Sequence, residues 1–166
     1  MATVLEDDKN IPLNFPSGTI LVLKPQGMKK PDGARDVGHD LRLFNETDDI
    51  LLKISFHTRR ITFKDYACRS LGDGWGKEQT VDLKGRSMEG VKVSVHHYLT
   101  DSKFGRYQIL LDGITVYHFD KRLPGPAIRI SYFRMAGHCG PSSWDVDLYQ
   151  IDDLLPEDRL ALGPGR

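Results

Sequence analysis

The chain has 166 residues, and its 23 Lys plus Arg balance its 23 Asp plus Glu, so the formal net charge is zero. That length suits one domain able to bury an adequate core without disulfides, and the charge balance gives no field to attract nucleic acid or an anionic membrane. Cys68 and Cys139 stand far apart and outside any CxxC spacing, which excludes a disulfide framework and a zinc or redox motif of that kind.

In chain order, the acidic start Met1-Ala2-Thr3-Val4-Leu5-Glu6-Asp7-Asp8 lacks the apolar stretch of a signal peptide, and no run approaches a membrane span. The expectation is cytosolic synthesis without a signal peptide, with a non-classical export route left open, and no membrane insertion. Residues 1–11 are expected as an N-terminal tail, and 28–38 as a polar loop containing Gly and Pro. In Ile50–His57 the second half alternates, Ile54 and Phe56 on one face and Ser55 and His57 on the other. Ile61-Thr62-Phe63-Lys64 repeats this, as do Val91, Val93 and Val95 against Lys92, Ser94 and His96. Period-two patterning means strands with one face in a core. Asp112-Gly113 between the apolar runs 107–111 and 114–119 predicts a type I′ hairpin. Strands through Ile128, Ile130 and Tyr132, and through Trp144, Val146 and Leu148, follow. Short strands separated by Gly, Pro and Asp clusters predict an all-β sandwich or barrel. In the tail over 151–166, Pro156 is placed to start a helical turn, and Gly163-Pro164-Gly165-Arg166 is expected to fray.

Trp75 is bracketed by Gly74 and Gly76, with Glu78 three residues on, whereas a core tryptophan is usually bracketed by apolar neighbours. A flat ring on a polar rim suits stacking against the C–H face of a sugar, and a nearby carboxylate can accept from its hydroxyls. If strands 54–59 and 61–64 send Ile54, Phe56, Ile61 and Phe63 inward, then Ser55, His57, Arg59, Thr62 and Lys64 share the other face. Trp75, Glu78 and Thr80 then come from the next strand. The ordinary alternative is a solvated sheet face, since alternation proves only exposure.

Ile54-Ser55-Phe56-His57-Thr58-Arg59, Ile61-Thr62-Phe63-Lys64 and Trp75-Gly76-Lys77-Glu78-Gln79 together resemble the carbohydrate-recognition core of the galectins. Gly18–Leu23 is similar to an early strand of that family, and 91–122 to its later hairpin region. The run Trp75-x-x-Glu78-Gln79 is also similar to the Trp-x-x-Glu-Gln-Arg of fungal galectin-like lectins. The resemblance spans roughly residues 12–150. It implies a two-sheet antiparallel β-sandwich of galectin-like jelly-roll type over 12–150, flanked by tails at 1–11 and 151–166. It also implies a lectin without catalysis, metal or cofactor, whose partners are glycans or glycoconjugates. A homodimer through a sheet edge is allowed by the class.

Carried onto this chain, the resemblance makes Trp75 the stacking platform and Arg59 and Glu78 the paired hydrogen-bonders. The departures fall at Ser55, where the family has His, His57 and Lys64, where it has Asn, and Thr80, where it has Arg. The stretch between Lys64 and Trp75 is longer than usual and could wall the groove. Lysine only donates where asparagine both donates and accepts, and several lost partners at about 1 kcal/mol each exceed the weak affinity of a monosaccharide. The expectation is therefore altered glycan selectivity with weak or absent lactose binding, set by His57, Lys64, Thr62 and Ser55. Lys64 with Arg59 would favour an anionic or sulfated sugar. The alternative is a protein-interaction module that has lost sugar binding, with 41–44 and Trp144 as edge anchors.

Other chemistry is thinly represented. His39, His57, His96, His97, His118 and His138 show no metal-ligand spacing, and His96 is expected to face outward. Glu78 with Asp73 could imitate a glycosidase pair, but Asp73 lies in a turn and a single binding carboxylate accounts for Glu78. No Gly-x-Ser-x-Gly elbow is present.

Overall fold

The computed structural model describes residues 3–27, 38–68, 74–135, 139–154, 156–159 and 162. Among the described residues thirteen strands run β1 (Thr3–Glu6), β2 (Lys9–Phe15), β3 (Thr19–Gln26), β4 (His39–Phe44), β5 (Ile50–Phe56), β6 (Arg60–Ala67), β7 (Gly74–Trp75), β8 (Gln79–Asp82), β9 (Val93–Tyr98), β10 (Arg106–Leu111), β11 (Ile114–Asp120), β12 (Ala127–Arg134) and β13 (Ser143–Gln150). A 3₁₀ turn (Ile151–Asp153) and a single helical turn, α1 (Pro156–Arg159), follow. A six-stranded sheet has the order β1-β13-β3-β9-β10-β11, and a seven-stranded sheet the order β2-β12-β4-β5-β6-β7, with β8 also on β6. The neighbouring strands pair antiparallel. This is the predicted all-β, two-sheet sandwich.

The inner faces meet in one core, with Trp144, Tyr107, Tyr132, Phe15, Phe56 and Phe63 as its largest buried side chains. The strand alternation that predicted it holds along β5 and β6, where Ile54, Phe56, Ile61 and Phe63 are all buried. The Asp112-Gly113 link is the predicted hairpin turn: both residues have positive φ, 49° and 81°, as a type I′ turn demands.

Several expectations need correction. Residues 3–11, expected within a tail, supply β1 and the start of β2, with Leu5 fully buried against the core. Val4-Leu5, two adjacent apolar residues without alternation, was too little pattern to predict a strand. Leu41, Leu43 and Trp144 are core residues, and β4 is internal to its sheet, so they anchor no edge. Ile128 is 42% exposed, because the ladder between β12 and β2 slips between Ala127 and Arg129 and turns it outward. His96 lies on the outer side of the six-stranded sheet but is buried, hydrogen-bonded to Gln108 at 3.1 Å and stacked on Tyr98. The tail folds back over that same outer side: Leu162 is buried in a small second cluster with Ile20 and Leu110, flanked by Val22, Ile151 and Leu154. Of the polar loop predicted over 28–38, residues 28–37 lie outside the described residues, as do residues 69–73, His138 and residues 163–166.

Candidate functional site

The outer face of the seven-stranded sheet gathers most of the polar residues singled out from the sequence. Strand register places them in two rows. In the first, Ser131 opposes Arg42, Arg42 opposes Lys53, and Lys53 opposes Lys64. Trp75 lies at the end of this row, paired through its backbone with Tyr66. In the second, Phe133 opposes Asp40, Asp40 opposes Ser55, Ser55 opposes Thr62, and Thr62 opposes Thr80. Directly opposed side chains in an antiparallel pair stand about 4.5–5.5 Å apart at Cβ, so, Phe133 apart, each row forms a polar stripe.

Trp75 is 45% exposed. Its ring packs against Tyr66, centroids 4.9 Å apart, and carries the Lys64 ammonium at 4.6 Å and the Lys53 ammonium at 5.2 Å from its centroid. These are cation–π distances, worth about 0.5–1 kcal/mol each at exposed sites. Lys64 also meets Glu78 at 3.7 Å. Arg42 is neutralised by Asp40 at 3.0 Å. Lys53, between them, makes no ion pair among the described residues. Burial lowers its pKa from the ordinary lysine value; Asp40 opposes that shift, Arg42 and Lys64 add to it, and Glu78 opposes it.

The indole is held from behind. Gly74 takes φ 73°, which favours glycine. A Cβ on Gly76 would run into the Asp65 carboxylate, and the Gly76 amide donates to the Asp65 carbonyl at 2.8 Å. Asp65 faces inward from β6 and is buried, with Arg122 as its counter-charge. The two glycines that marked Trp75 in the sequence are thus required by its seat.

Arg59 and His57 are placed differently from their expectation. β5 ends at Phe56, which opposes Ile61, so residues 57–60 form the turn, closed by the His57 amide on the Arg60 carbonyl at 2.9 Å. Arg59 is exposed there and forms no ion pair with Glu78; Lys64 occupies that role. The turn contains no Gly, Pro, Asn or Asp, and so gave no local sign that the alternation had stopped. The structure adds Lys53, Arg42, Asp40 and Tyr66, which the sequence reading missed. Extending the Ser55 alternation back by two residues reaches Lys53, and that was the available signal.

Beyond Arg42 the face opens into a groove of about 390 Å³ whose lining includes Lys9, Asn10, Phe44, Arg129 and Ser131. Arg129 lies over the Phe44 ring at 3.9 Å and pairs with Asp48 at 3.1 Å. No cluster of three or more His, Cys, Asp or Glu able to hold a metal occurs among the described residues.

No protein-family model matches the sequence. Solved structures do match over most of its length. Sheep galectin-11 in complex with glycerol aligns with TM-score 0.65 and 13% identity, covering 87% of this chain and 99% of that one. A doubly substituted human galectin-16 aligns with TM-score 0.67 and 15% identity, covering 89% and 99%. Xenopus laevis galectin-Ib aligns with TM-score 0.59 and 14% identity, covering 90% and 100%. The fold of this chain is the galectin sandwich.

Proposed function

We propose that this galectin-folded chain is a non-catalytic glycan-binding protein whose ligand lies on the outer face of the seven-stranded sheet. The observation that carries the reading is the half-exposed Trp75 ring on β7, beside Glu78 and at the end of the polar row through Arg42, Lys53 and Lys64. The indole offers an apolar platform. Covering roughly 50–100 Å² of it with a sugar face contributes about 1–2.5 kcal/mol. Glu78 accepts from hydroxyls, and Ser55 and Thr80 both donate and accept, whereas Thr62 between them is buried and does not reach the ligand. Galectin-11 was solved with glycerol, a polyol, and that is in keeping with hydroxyl recognition on this kind of sandwich.

The donor set argues against lactose as the preferred ligand. The cations on the indole, Lys53 and Lys64, accept no hydrogen bond, and a hydroxyl facing them must act as acceptor. Arg59 and His57 sit at the turn, where they can bear only on the end of a ligand.

A glycan array followed by tryptophan fluorescence tests the proposal. The chain has two tryptophans, and Trp144 is 1% exposed, so ligand-induced quenching must come from Trp75. Binding to array glycans with quenching that disappears in Trp75→Phe supports the reading. An array without hits, or binding indifferent to Trp75→Ala, refutes it and turns attention to a polypeptide ligand on the same face.

A further inference from the structure

We infer that the ligand carries an anionic group, a carboxylate or a sulfate ester on the glycan, seated on Lys53 between Arg42 and Lys64. The inference rests on the glycan-binding reading above and specifies its chemistry.

Three cations, Arg42, Lys53 and Lys64, oppose one another on adjacent strands β4, β5 and β6. Like charges directly opposite across a sheet repel and destabilise it. The outer two are answered, Arg42 by Asp40 at 3.0 Å and Lys64 by Glu78 at 3.7 Å. The middle one forms no ion pair among the described residues and feels Asp40 and Glu78 only at longer range. The row therefore holds three positive charges against two negative ones, with the excess at its centre and partly withdrawn from water. Burial and the flanking cations lower its proton affinity, and Asp40 and Glu78 only partly offset them.

The indole contacts point the same way. Both ammonium groups rest on the Trp75 ring. A neutral sugar stacking there displaces them and forfeits their cation–π attraction without replacing it. A sugar bearing an anion beside the stacked face draws the ammonium groups off the ring and onto itself, so the exchange costs less. The anion's place is set by register, one strand from Lys64 and one from Arg42. Arg59, which the sequence suggested as the second cation, is in the turn.

The test compares matched glycans on the wild-type protein: each neutral oligosaccharide beside its sulfated and its uronate form, with inorganic sulfate and polyglutamate as controls. The proposal expects the anionic member to bind at least about fivefold more tightly than its neutral counterpart, the size of one favourable ion pair. The preference should shrink as salt is raised. Lys53→Met, which keeps the apolar stem, should bring the ratio of anionic to neutral affinity close to one. Lys53→Arg should restore it, and unchanged melting of both variants excludes misfolding as the cause. Equal binding of neutral and anionic partners overturns this proposal while leaving the glycan reading intact. Absence of all glycan binding overturns both. Polyglutamate or free sulfate binding as tightly as the anionic glycans overturns it too, since the sugar then contributes nothing.

Discussion

Arg122 donates to a single carboxylate oxygen of Asp65 from both Nε, at 3.1 Å, and Nη2, at 2.9 Å, and the same Nη2 reaches the Gly74 carbonyl at 3.2 Å. One guanidinium therefore ties β6 to the short strand that carries Trp75. The carboxylate it neutralises is buried, while Arg122 itself is partly open to solvent. The platform is fixed by a charge pair on the inner side of its sheet, behind the face where ligand is proposed to lie.

Arg122→Met leaves the Asp65 carboxylate buried without its counter-charge. The expected loss is about 2–3 kcal/mol, below the usual cost of breaking a buried pair because the arginine is partly solvated. Urea unfolding measures it. In the folded variant Trp75 emission should shift to the red as its strand loosens, while Trp144 stays in the core.

Gly76→Ala and Gly113→Ala separate crowding from backbone strain. At Gly76 the methyl meets the Asp65 carboxylate, and overpacking of that kind costs about 1–3 kcal/mol. At Gly113 nothing lies within 4 Å, but φ is 81°, so the cost is about 1 kcal/mol of left-handed strain. Only Gly76→Ala should also reduce the Trp75 quenching produced by ligand.

Stability should fall as the solution is acidified through the histidine range. Burial holds His97 down to about 4 and His39 down to about 3, each from 6.5. Between those values and 6.5 the unfolded chain binds protons that the folded chain refuses. The stabilisation is complete above pH 6.5 and is lost as pH drops toward 4 and below, on the order of a few kcal/mol in all. Urea midpoints across this window measure it, and His97→Gln should flatten the upper part of the slope.

Lys121 gives a second test, of the same sign, at alkaline pH. It is buried, donates to the Gly125 carbonyl at 2.8 Å and lies 3.4 Å from His97 Nε2, and burial lowers its pKa from 10.5 to about 8. The folded chain sheds this proton before the unfolded chain does, so stability should rise between pH 8 and 10.5. Lys121→Met should raise stability at neutral pH by about 1–3 kcal/mol and abolish that rise.

Leu162→Ala should cost about 2 kcal/mol, at the low end for a buried leucine because its cluster is small. Glycan affinity should not change, since the cluster and the proposed site lie on different sheets.

The sandwich was legible because its signals are local. Asp112-Gly113 could only be a tight hairpin, and Ile54, Phe56, Ile61 and Phe63 could only share an inward face. Trp75 was legible for a related reason, since glycines on both sides of an indole are chain punctuation before they are anything else. The rest depended on register and on non-local packing. Nothing in His57-Thr58-Arg59-Arg60 announces a turn, so the strand was extended onto Arg59 and the opposite end, where Lys53 lies, was overlooked. Lys121 sits between Asp120 and Arg122 and resembles any surface lysine. It is buried because β11 ends at Asp120 and the chain turns inward, with the Lys121 amide bonded to the Gly105 carbonyl.

The return of the tail across the six-stranded sheet decides how the molecule is best presented to a ligand. Leu162 is pinned on the side of the sandwich opposite Trp75, with two sheets, about 10 Å apart, between them. A tether attached beyond it would hold the Trp75 face toward solution, whether on a biosensor chip, a bead or a multivalent scaffold. A tether placed ahead of β1 would emerge at the edge strand of the six-stranded sheet, close to where β1 meets β2, and would leave the orientation of the Trp75 face less well defined.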